Sequence, residues 1–437
     1  TEEIREKGYK GPLLLRFPHL IEKQISTLFN TFNKTKKEFN YQGEFQAVFP
    51  LKVNQFPNFV HALMDVSQGY NYGLEAGSKA ELIIAMTKTP LGAPITVNGF
   101  KDKEMISLCF IAAKMGHNIT ITIEGLGELE TIIQVNEEFN NNIEIPIAPK
   151  IGVRIRLHSS GIGIWAKSGG YSSKFGLTST ELLEAYEMLK KNDLLNSLWM
   201  IHFHIGSQMG DIAPLKKALR EAGHIYADLK NRGASALGAI NIGGGLAVEY
   251  SQHLHNQERN YSLKEFANDV IYLMQEISKR KGVEEPDIFT ESGRFIAASH
   301  SVLVAPVLEL FSQEYHERGL RLKEVNPPLI QELYDLFRSL KRENAREYLH
   351  DALDHMESLL TLFDLGYIDL EDRSNTEILV NLIIKKAIAL LNNEDTDELN
   401  KLQDRIQEKY LVNFSAFQSL PDFWGLAQHF PIMPLDK

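Results

Sequence analysis

Up to about Ile296 the chain alternates short apolar, β-branched runs with longer stretches in which apolar residues recur every three or four positions. The runs are Gln46 to Val53, Tyr70 to Glu75, Pro94 to Asn98, Asn118 to Glu124, Ile151 to Leu157, Trp199 to Ile205, Ala239 to Gly244 and Ile288 to Glu291. Between them, Ser78 to Thr87, Asp102 to Met115 and Lys264 to Ser278 have the period of helices with one buried face. Such a beat predicts an α/β protein with a parallel sheet, and eight runs close a (β/α)8 TIM barrel.

Beyond Glu291 the pattern changes. Ser299 to Phe311 is apolar and β-branched with Pro306 inside it, and reads as one strand leaving the barrel for a second sheet. From about Pro328 to Gln407 the chain turns charged and helical, as in Gln331 to Leu340 and Thr376 to Ala387, which predicts three or four amphipathic helices. Tyr410 to Gln418 returns to strand character. The expected organisation is a barrel over 10–300, a crossover strand over 301–325, a helical insertion over 326–408, and the start of a C-terminal β domain over 409–437.

Composition narrows the partners. A formal net charge of −11, with no basic run longer than the Lys34–Lys37 stretch, argues against nucleic acid or an anionic membrane and favours small molecules. No apolar stretch approaches the roughly 18 residues of a membrane span, and the polar start Thr1 to Glu6 does not read as a signal peptide. A single cysteine, Cys109, excludes an intramolecular disulfide; its apolar surroundings predict a packed helical residue, and a reducing cytoplasm is the natural setting.

Chemistry gathers at the ends of the eight runs. Lys52, Glu75, Asn98, Glu124, Arg154, His204, Gly243, Gly244, Gly245 and Glu291 stand at or near strand C-termini, where barrel enzymes place their active sites. Lys52 closes an apolar strand, where an ammonium is either paired, deprotonated or consumed in a covalent bond such as an imine. The competing reading is a strand-end lysine whose head reaches water. Three successive glycines after the seventh run let backbone N–H groups close around a phosphate, although a tight strand-to-helix turn has the same composition. After the eighth run, Gly293 allows a close backbone approach and Arg294 offers a fork to a phosphate oxygen, against the alternative of a Glu291–Arg294 ion pair. His202 and His204 share one strand face. They suit a metal, for which no cysteine or carboxylate nearby completes the ligands, or a ring-stacking histidine at His204 with Ser207 reaching the phosphate; a core histidine and a turn is the bland alternative. Together an imine-forming lysine, a phosphate cradle, a stacking histidine and a buried carboxylate, Glu291, which would keep a pyridine nitrogen protonated, specify pyridoxal 5'-phosphate.

Val48 to Gln55, Gly73 to Glu81, Ser173 to Gly176, His202 to Gln208, Gly243 to Leu246 and Glu291 to Arg294 resemble the fold-type III pyridoxal phosphate decarboxylases. Val412 to Trp424 and the helical insertion before it resemble the bacterial biosynthetic arginine decarboxylases within that group, and the similarity runs from Pro12 to Leu435. The resemblance implies catalytic roles for Lys52 (the cofactor imine), His204 (stacked on the ring) and Glu291 (at the pyridine nitrogen). It implies that Ser207, Gly243, Gly244, Gly245, Gly293 and Arg294 hold the phosphate, with Glu75 and Arg154 around the imine and ring. It also implies decarboxylation of arginine to agmatine for polyamine and spermidine biosynthesis, magnesium as an accessory ion with no ligand cluster visible here, and a homodimer or dimer of dimers with active sites at the interface. Ornithine, lysine or diaminopimelate as substrate, or a non-catalytic regulatory barrel, are the alternatives. A Cys-Asp pair and an aromatic from the family's C-terminal β domain are expected beyond Lys437, together with the remainder of that domain.

Overall fold

The computed structural model describes residues 2–141, 146–158, 175–250, 259–311, 315–391, 401–402, 408–426 and 428–435. After a strand β1 (Leu13–Arg16), eight parallel strands close a barrel in chain order. They are β2 (Phe45–Pro50), β3 (Gly73–Ala76), β4 (Pro94–Val97), β5 (Asn118–Ile123), β6 (Lys150–Arg154), β7 (Leu198–His202), β8 (Ala239–Asn241) and β9 (Asp287–Thr290). All eight expected runs become barrel strands. Several stop earlier than the apolar pattern does: β2 ends at Pro50, β7 at His202 and β8 at Asn241. The residues expected at those strand ends lie instead on the turns that follow, which frees their side chains from the ladder.

Alternation along each strand sorts the side chains into two layers. The Asn-Ile-Thr-Ile-Thr-Ile run of β5 shows it plainly: Ile119, Ile121 and Ile123 join the large apolar cluster shared with the outer helices, while buried Thr120 and Thr122 stay out of it. Likewise Ile201 and Phe203 face the helices, and Met200 packs with Ala239 and Phe289 in a separate small cluster. The inner layer is therefore apolar at the N-terminal end of the barrel and increasingly polar toward the C-terminal end, where Glu75, Asn98, Glu124, His202, Asn241 and Glu291 are all buried. Burying so many polar groups is costly unless they are paired, so this end of the barrel is built for chemistry rather than for stability.

The helices start where their sequence allows. Ser78, Asp102, Thr178 and Ser262 each accept a backbone N–H three residues on, which caps the helices Lys79–Lys88, Lys103–Lys114, Ser179–Lys191 and Leu263–Lys281. Cys109 lies fully buried within Lys103–Lys114, and burial pushes its thiol up to about 12, so it is inert packing.

The chain divides into two compact units, Leu14–Leu303 with Ala416–Lys437, and Thr1–Leu13 with Val304–Ser415. The second contains the helices Pro328–Ser339, Ala345–Asp364 and Leu370–Leu390 around their own apolar cluster, which includes Ile330, Leu349, Leu379 and Ile383. It also holds an antiparallel pair, β11 (Val307–Phe311) with β12 (Lys409–Val412). Two expectations are corrected here. Ser299 to Phe311 is not one strand: it breaks at Ala305 and Pro306 into β10 (Ser301–Val304), paired with β1, and β11, because proline has no N–H to carry a ladder through. The strand expected over Tyr410 to Gln418 ends at Val412, and Ala416–Ser419 is a helical turn. Among the described residues no helix is long and apolar enough to cross a membrane.

Candidate active site at the C-terminal end of the barrel

Lys52 does not sit on the strand that the sequence suggested. Pro50 ends β2, and Leu51–Val53 forms a 3-10 turn that lifts the lysine to the mouth, where its side chain is 60% exposed. Its Nζ stands 3.5 Å from Oε2 of Glu75, whose own side chain is fully buried on β3. Partial desolvation opposes the charge of Lys52, but Glu75, and behind it Glu291, outweigh that effect and hold the ammonium above the ordinary lysine value.

Glu75 is the unusual group. Neither carboxylate oxygen has a hydrogen-bond partner, and burial pushes its pKa up to about 7, with Lys52 pulling the other way. Glu291 is equally deep but differently held. Its Oε1 accepts from Asn98 Nδ2 and Asn241 Nδ2, both at 2.8 Å, and lies 3.9 Å from Nδ1 of buried His202. Burial raises its pKa, but His202, Lys52 and the two amides together reverse this and keep Glu291 ionised below its ordinary value. Two glutamates across one mouth thus have opposite characters, which is the usual arrangement when acid and base duties are divided.

His204 follows β7 on the inward side. Burial, reinforced by the positive Arg154, lowers its pKa to about 3, so the ring is neutral and flat at physiological pH. Its Nδ1 accepts the Gly244 N–H at 3.3 Å, which places the ring proton on Nε2. Arg154, at the end of β6, directs Nη1 to both oxygens of Glu124 at 3.1 Å and lays its guanidinium 4.9 Å from the Phe175 ring centroid.

The glycine loop after β8 has no room for side chains. A Cβ on Gly243 would stand 2.6 Å from the Phe203 carbonyl oxygen, one on Gly244 2.7 Å from that of Glu291, and one on Gly245 2.6 Å from that of Gly206. Gly243 and Gly245 also have positive φ, 68° and 106°. The loop is pressed between the ends of β7 and β9, beside the segment that carries Ser207, and Met209 N–H bonds Gly245 O at 2.9 Å. Gly293 is crowded too, by the side chains of Pro50, just before the Lys52 turn, and of Val53, the last residue of that turn. Arg294 donates to Tyr250 Oη at 3.3 Å. Among the described residues no ion pair joins Glu291 to Arg294, so that alternative falls.

The barrel therefore brings together every predicted site residue at one end: Lys52, Glu75, Arg154, His204, Ser207, Gly243, Gly244, Gly245, Glu291, Gly293 and Arg294. Ser173 and Lys174 of the Ser173–Gly176 motif lie outside the described residues. Among the described residues, no group of three or more His, Cys, Asp or Glu could hold a metal ion. Sequence reading passed over Asn241, Glu81, Lys101, Glu128 and Tyr250. Asn241 had a signal, its place two residues before Gly243 on the inward face of a strand; buried Glu81 accepts the Gly77 N–H, four residues back, at 2.7 Å and Gln55 Nε2 at 2.5 Å, and only the fold brings Gln55 near.

The chain is similar to known proteins along its whole length. Residues 25–298 match the family described as pyridoxal-dependent decarboxylase, pyridoxal binding domain, and residues 323–403 match the arginine decarboxylase helical bundle domain. The chain is 39% identical over 445 residues to the biosynthetic arginine decarboxylase of Geobacter sp. (strain M21), covering 100% of this chain and 69% of that protein. It is 40% identical over 448 residues to that of Deinococcus radiodurans, covering 100% of this chain and 66% of that one. The crystal structure of the biosynthetic arginine decarboxylase from Campylobacter jejuni superposes with a TM-score of 0.86 at 60% identity, covering 100% of this chain and 68% of that one. The chain thus spans about two thirds of the length of these relatives. With both family matches and a likeness that covers the whole of this chain, the chain belongs to the biosynthetic arginine decarboxylases, within the pyridoxal-dependent decarboxylases.

Proposed function

We propose that this protein decarboxylates L-arginine to agmatine and carbon dioxide with pyridoxal phosphate, supplying polyamine and spermidine synthesis in the cytoplasm. The observation that carries the reading is the convergence of Lys52, its buried ion partner Glu75 and ionised Glu291 on one barrel mouth, in a chain that also matches the arginine decarboxylase helical bundle.

The residues fit the cofactor. Buried Glu75 has two oxygens without hydrogen-bond partners beside an amine, and Glu291 is an ionised carboxylate held where a cationic ring nitrogen would relieve its burial. Lys52 would hold the cofactor covalently, His204 would lie flat against its ring, and Glu291 would face the ring nitrogen. Ser207, Gly243, Gly244, Gly245, Gly293 and Arg294 would hold the phosphate. When bound, pyridoxal phosphate supplies a reactive aldehyde and a ring that accepts the electron pair released as the carboxylate leaves.

The chain's own groups supply the rest. Glu291, fixed by Asn98 and Asn241, keeps a negative charge at one depth of the barrel through the neutral pH range. Neutral His204 adds a flat surface without adding a charge that would compete with Glu291. Glu75 can take or release a proton beside Lys52 Nζ near neutrality, which suits an amine that must lose its proton before it reacts. Arg154 places a fixed positive charge on the same mouth.

We further assign 10–300 to the barrel, 301–325 to a crossover, 326–408 to a helical insertion and 409–437 to the start of a β domain, and expect a homodimer or dimer of dimers with interfacial sites. The test is carbon dioxide and agmatine release by the complete protein, with ornithine, lysine and diaminopimelate assayed in parallel. Turnover of one of those three instead of arginine would sink the substrate assignment. Absence of a borohydride-fixed pyridoxyl group on Lys52 would sink the cofactor assignment, and a monomer by light scattering would sink the assembly.

A further inference from the structure

Behind the mouth, the wall formed by β4, β5 and β6 holds a second charged cluster. Lys101 lies in the turn between β4 and the helix Lys103–Lys114, and its side chain has no exposed surface. An ammonium in such a place is unstable unless paired and hydrogen-bonded. Its Nζ donates to the carbonyl oxygens of Gly99 and, at 2.7 Å, of Thr122, and stands 3.2 Å from Glu128 Oε2. One side chain thereby ties the end of β4 to the end of β5. Glu128, in the first turn of the helix Leu126–Asn140, accepts the Lys101 N–H at 2.7 Å on Oε1 and the Glu124 N–H at 2.8 Å on Oε2. Glu124 in turn accepts the Gly99 N–H at 3.0 Å and both bonds from Arg154 Nη1.

Two cations and two carboxylates thus run from the back of the wall to the mouth with no net charge. Arg154 is the outermost of the four, with 12% of its side chain exposed. Its charge acts on Lys52, His202 and His204. We infer that Lys101 and Glu128 are positioning residues: they fix Glu124 from behind the barrel wall, and Glu124 fixes where the Arg154 guanidinium stands against Lys52 and His204. Besides each other, the two side chains satisfy the backbone N–H groups of Lys101 and Glu124 and the carbonyl oxygens of Gly99 and Thr122, which an apolar pair of similar volume would leave unpaired. By gripping the backbone on either side of Glu124, the ion pair sets the position of a charge. The consequence for the cofactor rests on the proposed function; the consequence for Lys52 does not.

The variant is Lys101→Met/Glu128→Leu in the full chain, which removes both charges together, so that neither is left without its counter-charge, and also removes the backbone hydrogen bonds they make. Lys101→Gln, which keeps a donor, gives a second route should the double variant not fold. In protein freed of cofactor, the pH dependence of Lys52 acylation, read by peptide mass spectrometry, should shift upward by roughly half a pH unit, because Arg154 no longer repels the ammonium from a fixed place. Arg154→Gln should produce a shift in the same direction, and adding the double substitution to it should produce no further change. The absorbance midpoint of protein loaded with pyridoxal phosphate should move the same way. An unshifted Lys52 in a folded variant reduces the pair to a structural role and overturns the inference, as does a shift that adds to that of Arg154→Gln. If the parent protein fails to bind pyridoxal phosphate, the proposed function falls, while the acylation result still decides this inference.

Discussion

At the scale of single residues, the site is governed by how each carboxylate and imidazole is desolvated. Glu75 has a folded pKa of about 7 against an ordinary 4.5, so the folded state holds a proton that the unfolded chain releases across that interval. Its contribution to stability is accordingly present below about 4.5 and lost as pH rises toward 7. Glu75→Gln should therefore stabilise the cofactor-free protein relative to the parent, by on the order of 1–3 kcal/mol above pH 7 and by little near pH 5, measured by denaturant melts at both pH values. His204 works in the opposite sense. Its folded pKa of about 3 lies below the ordinary 6.5, so stability is lost as pH falls below about 6.5, when the unfolded chain takes up a proton that the folded ring refuses. His204→Gln should lessen the loss between pH 7 and pH 5 by roughly 1–2 kcal/mol. In the parent the two effects offset each other, so only the single variants reveal them. A Glu75→Gln variant with an unchanged pH profile would show that the carboxyl is not raised.

At the scale of elements, what matters is how closely the turns at the barrel mouth are stacked. A Cβ on Gly244 meets the Glu291 carbonyl at 2.7 Å, a backbone atom that cannot swing aside. Gly244→Ala should push the loop away from β9, lowering stability by about 1–3 kcal/mol and weakening retention of pyridoxal phosphate at least tenfold, read by melting with and without cofactor. Gly293→Ala meets side-chain atoms of Pro50 and Val53 instead, each at 2.7 Å. It should act on the Lys52 turn, reducing turnover more than it reduces thermal stability. Equal losses in both would place the damage in general packing.

For the whole molecule, the apolar cluster of the barrel and that of the helical bundle share no residue. Ile383 is fully buried in the bundle cluster. Ile383→Ala should destabilise the bundle by about 2–4 kcal/mol while leaving the pH titration of Lys52 unchanged, provided both are measured on the same full chain. A change in Lys52 would show that the two units are coupled through something other than a common core.

The period of apolar residues was enough to predict eight strands, the outer helices and a second helical region, because a two-residue and a 3.6-residue repeat leave different marks on a chain. It also placed Lys52, His204, the three glycines and Glu291 near strand ends, since motif spacing along the chain maps directly onto a barrel whose strands follow in order. Strand limits were less legible: proline at Pro50 and Pro306 ends a ladder through its missing N–H, whereas β7 stops at His202 although the strand period continues to Ile205, and β8 stops at Asn241, ahead of the glycines that mark its turn. Which hydrogen bonds join residues far apart in sequence was not legible. That Glu75 lacks hydrogen-bond partners while Glu291 has two amides, and that Lys101 is sealed behind Arg154, follow from closing the barrel. Local pattern decides which face a residue takes; the desolvation and pairing that give it a chemical character arise only when distant strands meet.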